Sequence, residues 1–303
     1  MPKSVAAGRF RGYLLLLHPG PSLVCTLVTA VSGWSSARGA VPTAPGLPRR
    51  AGRRIAWASS AMALAQVSTG ILNDAVDAPS DRLFQPYKPI ARGAVPRGHA
   101  WGLAALTGVA ALTCARQAGP AAERLMRLGL ASGWAYSLGL SRSPLSFLPF
   151  ASGLATVPRL GPAALGRRPE RARTLTALSA LLGVALHLAN GAPDADRDRQ
   201  AGRRSLPVLL GPHRSRRWSR RLLGWAAVAA ALDNRPHLRW RAAAGSVACL
   251  AMLGIDRALD RPGREVGQHP FVLPALGGGA LALGWLLDGS APSTTVTAAA
   301  HLL

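Results

Sequence analysis

The sequence predicts an all-α, polytopic membrane protein, and three observations carry that prediction. No Asp, Glu, Lys or Arg occurs in 12–37, 55–73, 98–115, 174–193 or 266–287, and a transmembrane helix needs roughly 20 mostly apolar residues. Apolar residues make up 49% of the 303 and the mean hydropathy is +0.18, too apolar for a disordered chain. Ala and Leu dominate these runs without period-two alternation, so they read as helices rather than strands.

Nine candidate helices follow in order. The first, 13–36, lies behind Lys3, Arg9 and Arg11. This mimics a signal peptide, but the run is too long and no A-x-A site closes it, so a retained span is expected. The second (55–72), third (98–116) and sixth (173–192) are nearly free of charge. The fourth (122–140), fifth (144–165, which contains Arg159), seventh (218–232) and eighth (240–257) rest on shorter apolar cores. Arg snorkelling at their ends extends these towards spanning length. The seventh has the weakest pattern. The ninth is 268–288. Loops are short and rich in Arg, Pro and Gly. With the N-terminus inside, Lys+Arg number 20 on the inner side and 16 on the outer, a small bias in the expected direction. The expected location is therefore the cell (inner) membrane, multi-pass, with the 73–97 and 193–221 loops cytoplasmic.

The formal charge is +23, from 36 Lys+Arg and 13 Asp+Glu. Taken alone, that suggests a nucleic-acid or membrane-surface binder. The long charge-free runs point instead to membrane lipids, and no nucleic-acid partner is expected. Cys25, Cys114 and Cys249 all lie in apolar stretches without metal-ligand or disulfide spacing.

In so basic a chain the scarce acids are informative. Six of the 13 fall in two windows, Asp74, Asp77, Asp81 and Asp194, Asp196, Asp198. The windows share a spacing: Asn73-x3-Asp77-x3-Asp81 matches Asn190-x3-Asp194-x3-Asp198. Steps of four place side chains on one helix face, with Asp74 beside the first stripe and Asp196 pointing away from the second. Pro193 is expected to break or kink the second. Four candidate helices separate the windows, which puts both at the same side of the membrane. The chain thus reads as one domain, 1–303, with pseudo-repeat halves at about 13–140 and 144–257 and 268–288 as an addition. Two carboxylate stripes facing each other need cations between them. Hard oxygen ligands favour Mg²⁺ over zinc or copper, and Mg²⁺ favours substrate phosphates as co-ligands. Arg82, Lys88 and Arg92, and Arg197, Arg199, Arg203 and Arg204, follow the two stripes. Lys88 and Arg92 sit in a loop stiffened by Pro86, Pro89 and Gly93.

The segment Asn73–Pro96, NDAVDAPSDRLFQPYKPIARGAVP, resembles the first aspartate motif and following loop of the UbiA superfamily of intramembrane prenyltransferases. Asn190–Gly211, NGAPDADRDRQAGRRSLPVLLG, resembles the second. Tyr136–Pro149, YSLGLSRSPLSFLP, is a weaker match to the family's Tyr-plus-basic loop. The resemblance implies nine helices around a central cavity, with the active site capped by loops. It implies a prenyl diphosphate donor held through Mg²⁺, and a hydrophobic aromatic or lipid acceptor. Carried over, Asn73, Asp74, Asp77 and Asp81 form one metal site and Asn190, Asp194 and Asp198 the other. Asp77, Asp81, Asp198 and Tyr136 are the expected catalytic residues. Lys88, Arg92 and Arg142 are expected to hold the diphosphate. Ser141 stands where the family often has Lys, and Arg142 is expected to take that role. His18-Pro19 replaces a common Arg-Pro, and His18 is expected to be structural at a helix kink. Two rival readings are a family member that uses polyprenyl phosphate with a sugar-phosphate donor, and a non-catalytic transporter of divalent cations or anionic lipids. The stiff basic loop at Lys88 and Arg92 speaks against a cation carrier.

Overall fold

The computed structural model describes residues 11–38, 47–168, 172–233, 240–259 and 272–288, and among them there are helices and turns but no strand. Nine long helices lie among the described residues: α1 (Pro19–Arg38), α2 (Leu47–Phe84), α3 (Arg97–Ala118), α4 (Pro120–Leu138), α5 (Phe147–Ala164), α6 (Ala172–Gly191), α9 (Pro212–Asp233), α10 (Trp240–Leu259) and α11 (Val272–Asp288). Two short ones, α7 (Ala195–Gln200) and α8 (Leu206–Leu210), carry the second aspartate window and its tail. The long helices pack in chain order, each against the next, and α11 returns to α1, with α1 also crossing to α5. Among the described residues, four segments are long and apolar enough to cross a membrane: Arg49–Phe84, Arg97–Ala118, Ala172–Gly191 and Arg241–Leu259. The polytopic helical class is as expected.

Several boundaries differ from the sequence reading, each for a local reason. The first helix is interrupted. A helical turn at 11–15 ends before His18, which has a positive φ of 44°, and α1 restarts at Pro19, where proline suits a first turn. α2 is far longer than 55–72, running through the whole first aspartate window. Pro79 inside it lacks the N–H that would bond the Ala75 carbonyl. Arg97 Nε, at the start of α3, donates to that carbonyl at 2.7 Å, so the helix continues. α9 begins at Pro212 rather than 218, its first turns being too basic to register as apolar. The expected break at Pro193 is present: α6 ends at Gly191 and the chain resumes as α7. Lys3 and Arg9, ahead of the expected first helix, and residues 268–271 of the expected last one lie outside the described residues.

Small residues set the close approaches. A methyl at Gly161 of α5 would land on the backbone of Thr29 and Gly33 in α1, and one at Gly183 of α6 on the Phe150 backbone. Such contacts let apolar helices pack tightly where burial from lipid gives little drive. Thr29 Oγ1 donates across the first of them to the Val157 carbonyl at 3.1 Å.

Candidate active site

The two aspartate windows meet at one end of the helix assembly. α2 presents Asp74, Asp77 and Asp81, with Asp74 and Asp81 buried and Asp77 half-buried. In the loop that follows, turns close from Lys88 N–H to Gln85 O and from Arg92 N–H to Lys88 O, each at 3.0 Å, and from Ala94 N–H to Pro89 O at 2.9 Å. Ile90 and Val95 anchor it in the core, and Gly93 takes the left-handed conformation (φ 77°) that closes it. The loop folds Lys88 back onto the stripe. Its Nζ donates to Asp81 Oδ2 at 2.9 Å and lies 3.3 Å from Asp74 Oδ1. The latter is an ion pair without hydrogen-bond alignment, which leaves Asp74 Oδ1 a buried acceptor with no hydrogen bond. Burial alone pushes the Lys88 ammonium down, but Asp74 and Asp81 outweigh it and hold its pKa above the ordinary lysine value.

The other oxygen of Asp74 is taken by His18 Nε2 at 2.8 Å. His18 is thus more than a kink residue: it brings the start of α1 to the first window. Gly70, one turn before Asp74 on the same face, makes the space, since a methyl there would lie 2.6 Å from His18 Cδ2.

In the second window Asn190 stands exposed at the end of α6, Asp194 precedes the first turn of α7 without a side-chain capping bond, and the Asp198 N–H donates to the Asp194 carbonyl at 2.8 Å. Asp196 points away, as expected, pairing with Arg199 at 3.0 Å. Burial pushes the Asp198 carboxyl above the ordinary range, and Arg203 only partly offsets this. Arg203 joins the windows. Its guanidinium lies 3.6 Å from Asp77 Oδ1 and 3.5 Å from Asp198 Oδ1, positioned by the turn at Gly202 (φ 74°) and by its own N–H bond to the Asp198 carbonyl at 2.9 Å. Arg197, paired with Asp194 at 2.9 Å, makes a second link, sitting 5.3 Å over the Phe84 ring at the end of α2.

Tyr136 of α4 lies within electrostatic reach of Asp77, Asp194, Asp198 and Arg203. Its ring meets Phe150 at 5.1 Å and His187 at 5.8 Å, both edge to face. This aromatic group was not visible in the sequence, because its members come from α4, α5 and α6. Beside it, Ser146 Oγ shares a hydrogen bond with His187 Nε2 (2.9 Å) and accepts the Leu206 N–H (3.0 Å), while the Arg204 N–H donates to the Arg142 carbonyl (3.0 Å). These bonds tie the Tyr136–Pro149 segment to the tail of the second window. The Arg142 side chain is exposed and in electrostatic reach of Asp77. Arg92 is exposed, with no acid at ion-pair distance among the described residues. An open pocket of about 410 Å³ against this tail is lined by Arg199, Arg203, Arg204 and Leu209 among others.

The model of the UbiA prenyltransferase family matches residues 23–271, a span that includes every part of this site except His18. The chain belongs to the UbiA prenyltransferase family. Like that family, it is a prenyltransferase and an integral membrane protein. Among curated UbiA relatives, the digeranylgeranylglyceryl phosphate synthases of Halobacterium salinarum and Natronomonas pharaonis are 31% and 28% identical, over 68% of this chain and 71% and 72% of theirs. Among solved structures, a UbiA homolog from Archaeoglobus fulgidus bound to GPP and Mg²⁺ has a TM-score of 0.68 at 18% identity, covering 92% of this chain and 99% of that one. The apo UbiA homolog from Aeropyrum pernix has 0.69 at 21%, covering 88% and 97%. The likeness to these two is one of fold.

Proposed function

We propose that this UbiA-family prenyltransferase moves a polyprenyl group from an allylic prenyl diphosphate to a lipid-type acceptor in an Mg²⁺-dependent reaction. The observation that carries the reading is the meeting of the two windows, Asp77 and Asp198 on either side of one guanidinium. Seven hard-oxygen ligands are assigned: Asn73, Asp74, Asp77 and Asp81, and Asn190, Asp194 and Asp198. Their chemistry fits Mg²⁺. Among the described residues no three His, Cys, Asp or Glu form a closed metal cage. Mg²⁺ does not require one, since it is usually held by one or two carboxylates, waters and substrate phosphate oxygens. When bound, it supplies positive charge to the departing diphosphate. The relative from Archaeoglobus fulgidus bound to GPP and Mg²⁺ supports donor and metal alike, and the names of the curated relatives support a lipid acceptor over an aromatic one.

The chain's own residues then divide the work. Lys88, fully charged at neutral pH, faces the diphosphate from the stiff loop, with Arg142 and Arg92 at the rim. The allylic C–O bond breaks, the electron pair leaves with the diphosphate, and the carbon becomes cationic. Tyr136 lies beside that carbon, where an aromatic ring favours a cation. An acceptor oxygen then bonds to the carbon, and its proton passes to the released diphosphate. The surrounding apolar helices exclude water that would otherwise capture the cation.

The test is transfer from radiolabelled prenyl diphosphates in membranes, with prenylglyceryl phosphate and aromatic acceptors in parallel. Asp77→Ala and Asp198→Ala are expected to lose activity by about a hundredfold or more, and chelation of Mg²⁺ to abolish it. Wild-type rates in both variants would overturn the site assignment.

A further inference from the structure

The N-terminal half of α9 is basic on both sides, but its two faces differ. The inner face, with Ser215, Ser219, Leu223 and Ala226, is buried, and Arg220 pairs there with Asp256 of α10 at 3.0 Å. The outer face carries Arg214, Arg217 and Arg221 at helical spacing, all exposed. None of these three has an acid at ion-pair distance among the described residues. Trp218 and Trp225 stand among and just beyond them, ring to ring at 6.1 Å, with the Arg221 guanidinium 5.2 Å over Trp218. Further along the same face the exposed side chains among the described residues are apolar, including Val228 and Leu232, each 51% accessible.

Cation, aromatic and aliphatic therefore succeed one another along a single face about 27 Å long from Arg214 to Leu232. That is the order of headgroup, interface and acyl chain in one leaflet. The basic end leaves α8 directly, so it stands at the membrane level of the aspartate windows. The basic first half of α9 leaves it less apolar than the helices long and apolar enough to cross a membrane, as a helix half in the headgroup layer should be.

We propose that the outer face of α9 is a binding site for the headgroups of anionic phospholipids in the surrounding bilayer. A general excess of cytoplasmic Arg requires only charge in loops. Here the charges are set on a helix, with no acid at ion-pair distance among the described residues and a Trp pair at the depth of the glycerol backbone. Each exposed Arg at an anionic surface contributes about 1 kcal/mol of attraction, roughly fivefold in local lipid preference.

The experiment uses the full chain in vesicles of mixed phosphatidylcholine and phosphatidylglycerol at fixed composition, with bromine on the acyl chains of one lipid or the other. Tryptophan fluorescence reports which lipid sits beside Trp218 and Trp225, and the Trp218→Phe/Trp225→Phe variant defines the share from the other six of the eight Trp. Brominated phosphatidylglycerol is expected to quench this pair with about fivefold preference or more. High salt is expected to erase that preference, and so is the Arg214→Gln/Arg217→Gln/Arg221→Gln variant. Equal quenching by the two lipids in the wild type would overturn the proposal, and would leave an acidic protein segment as the face's partner. A preference that survives both salt and the triple variant would overturn it as well. Neither readout involves prenyl transfer, so the result is independent of the reaction assigned above.

Discussion

At the scale of the residue, the site depends on side chains that repair or neutralise what the motif itself leaves open. Pro79 frees the Ala75 carbonyl between Asp74 and Asp77, and Arg97 takes it. Arg97→Gln is expected to cost about 1–3 kcal/mol of stability through the orphaned carbonyl, read as a lower midpoint of thermal unfolding in detergent, with Arg97→Lys recovering part. A second prediction concerns pH. Burial raises the Asp198 pKa and Arg203 opposes the rise. Cation binding needs the carboxylate, so affinity for Mn²⁺ as an Mg²⁺ surrogate is expected to weaken at a higher pH than for an ordinary Asp as the solution is acidified. Arg203→Gln removes the opposing charge and is expected to move that midpoint further up. An unchanged or lowered midpoint would contradict the assignment. The acids of this site were legible in the sequence because they are scarce and evenly spaced. Arg203 was only one of several Arg, and Arg97 and His18 belong to other helices. Their roles depend on which helices meet, and spacing within a single segment carries no such information.

At the scale of the element, glycines decide how closely the helices stand. Gly161 of α5 faces Thr29 and Gly33 of α1 backbone to backbone. Gly161→Ala is expected to destabilise by about 1–3 kcal/mol, because neither backbone can give way as a side-chain tip can. Gly98→Ala, where a methyl meets open space, serves as the neutral control. Helices with clean apolar runs, such as α3 and α6, were read to within two residues. α2 and α9 were read short because their ends are polar for a purpose: the first carries the aspartates, the second the exposed arginines. Hydropathy marks where a helix crosses lipid, and these two continue as helices beyond that.

At the scale of the whole molecule, consecutive helices pack side by side and α11 closes back on α1, where Ser35 Oγ donates to the Leu286 carbonyl at 2.8 Å. This arrangement brings Asp77 and Asp198 together although more than a hundred residues separate them in the chain. The even number of candidate helices between the windows predicts that both lie on one side of the membrane. The Lys+Arg bias predicts that this side is the cytoplasmic one. A labelling reporter within 85–95 is therefore expected to be reached from the cytoplasm only, and labelling from outside intact cells would reverse the orientation.

The shared guanidinium has one more consequence. Because Arg203 answers to a carboxylate in each window, the two halves of the chain are energetically coupled at that point. In a double-mutant cycle on Asp77→Asn and Asp198→Asn, the combined stability change should differ from the sum of the single changes by about 0.5–3 kcal/mol, and the difference should collapse in an Arg203→Gln background.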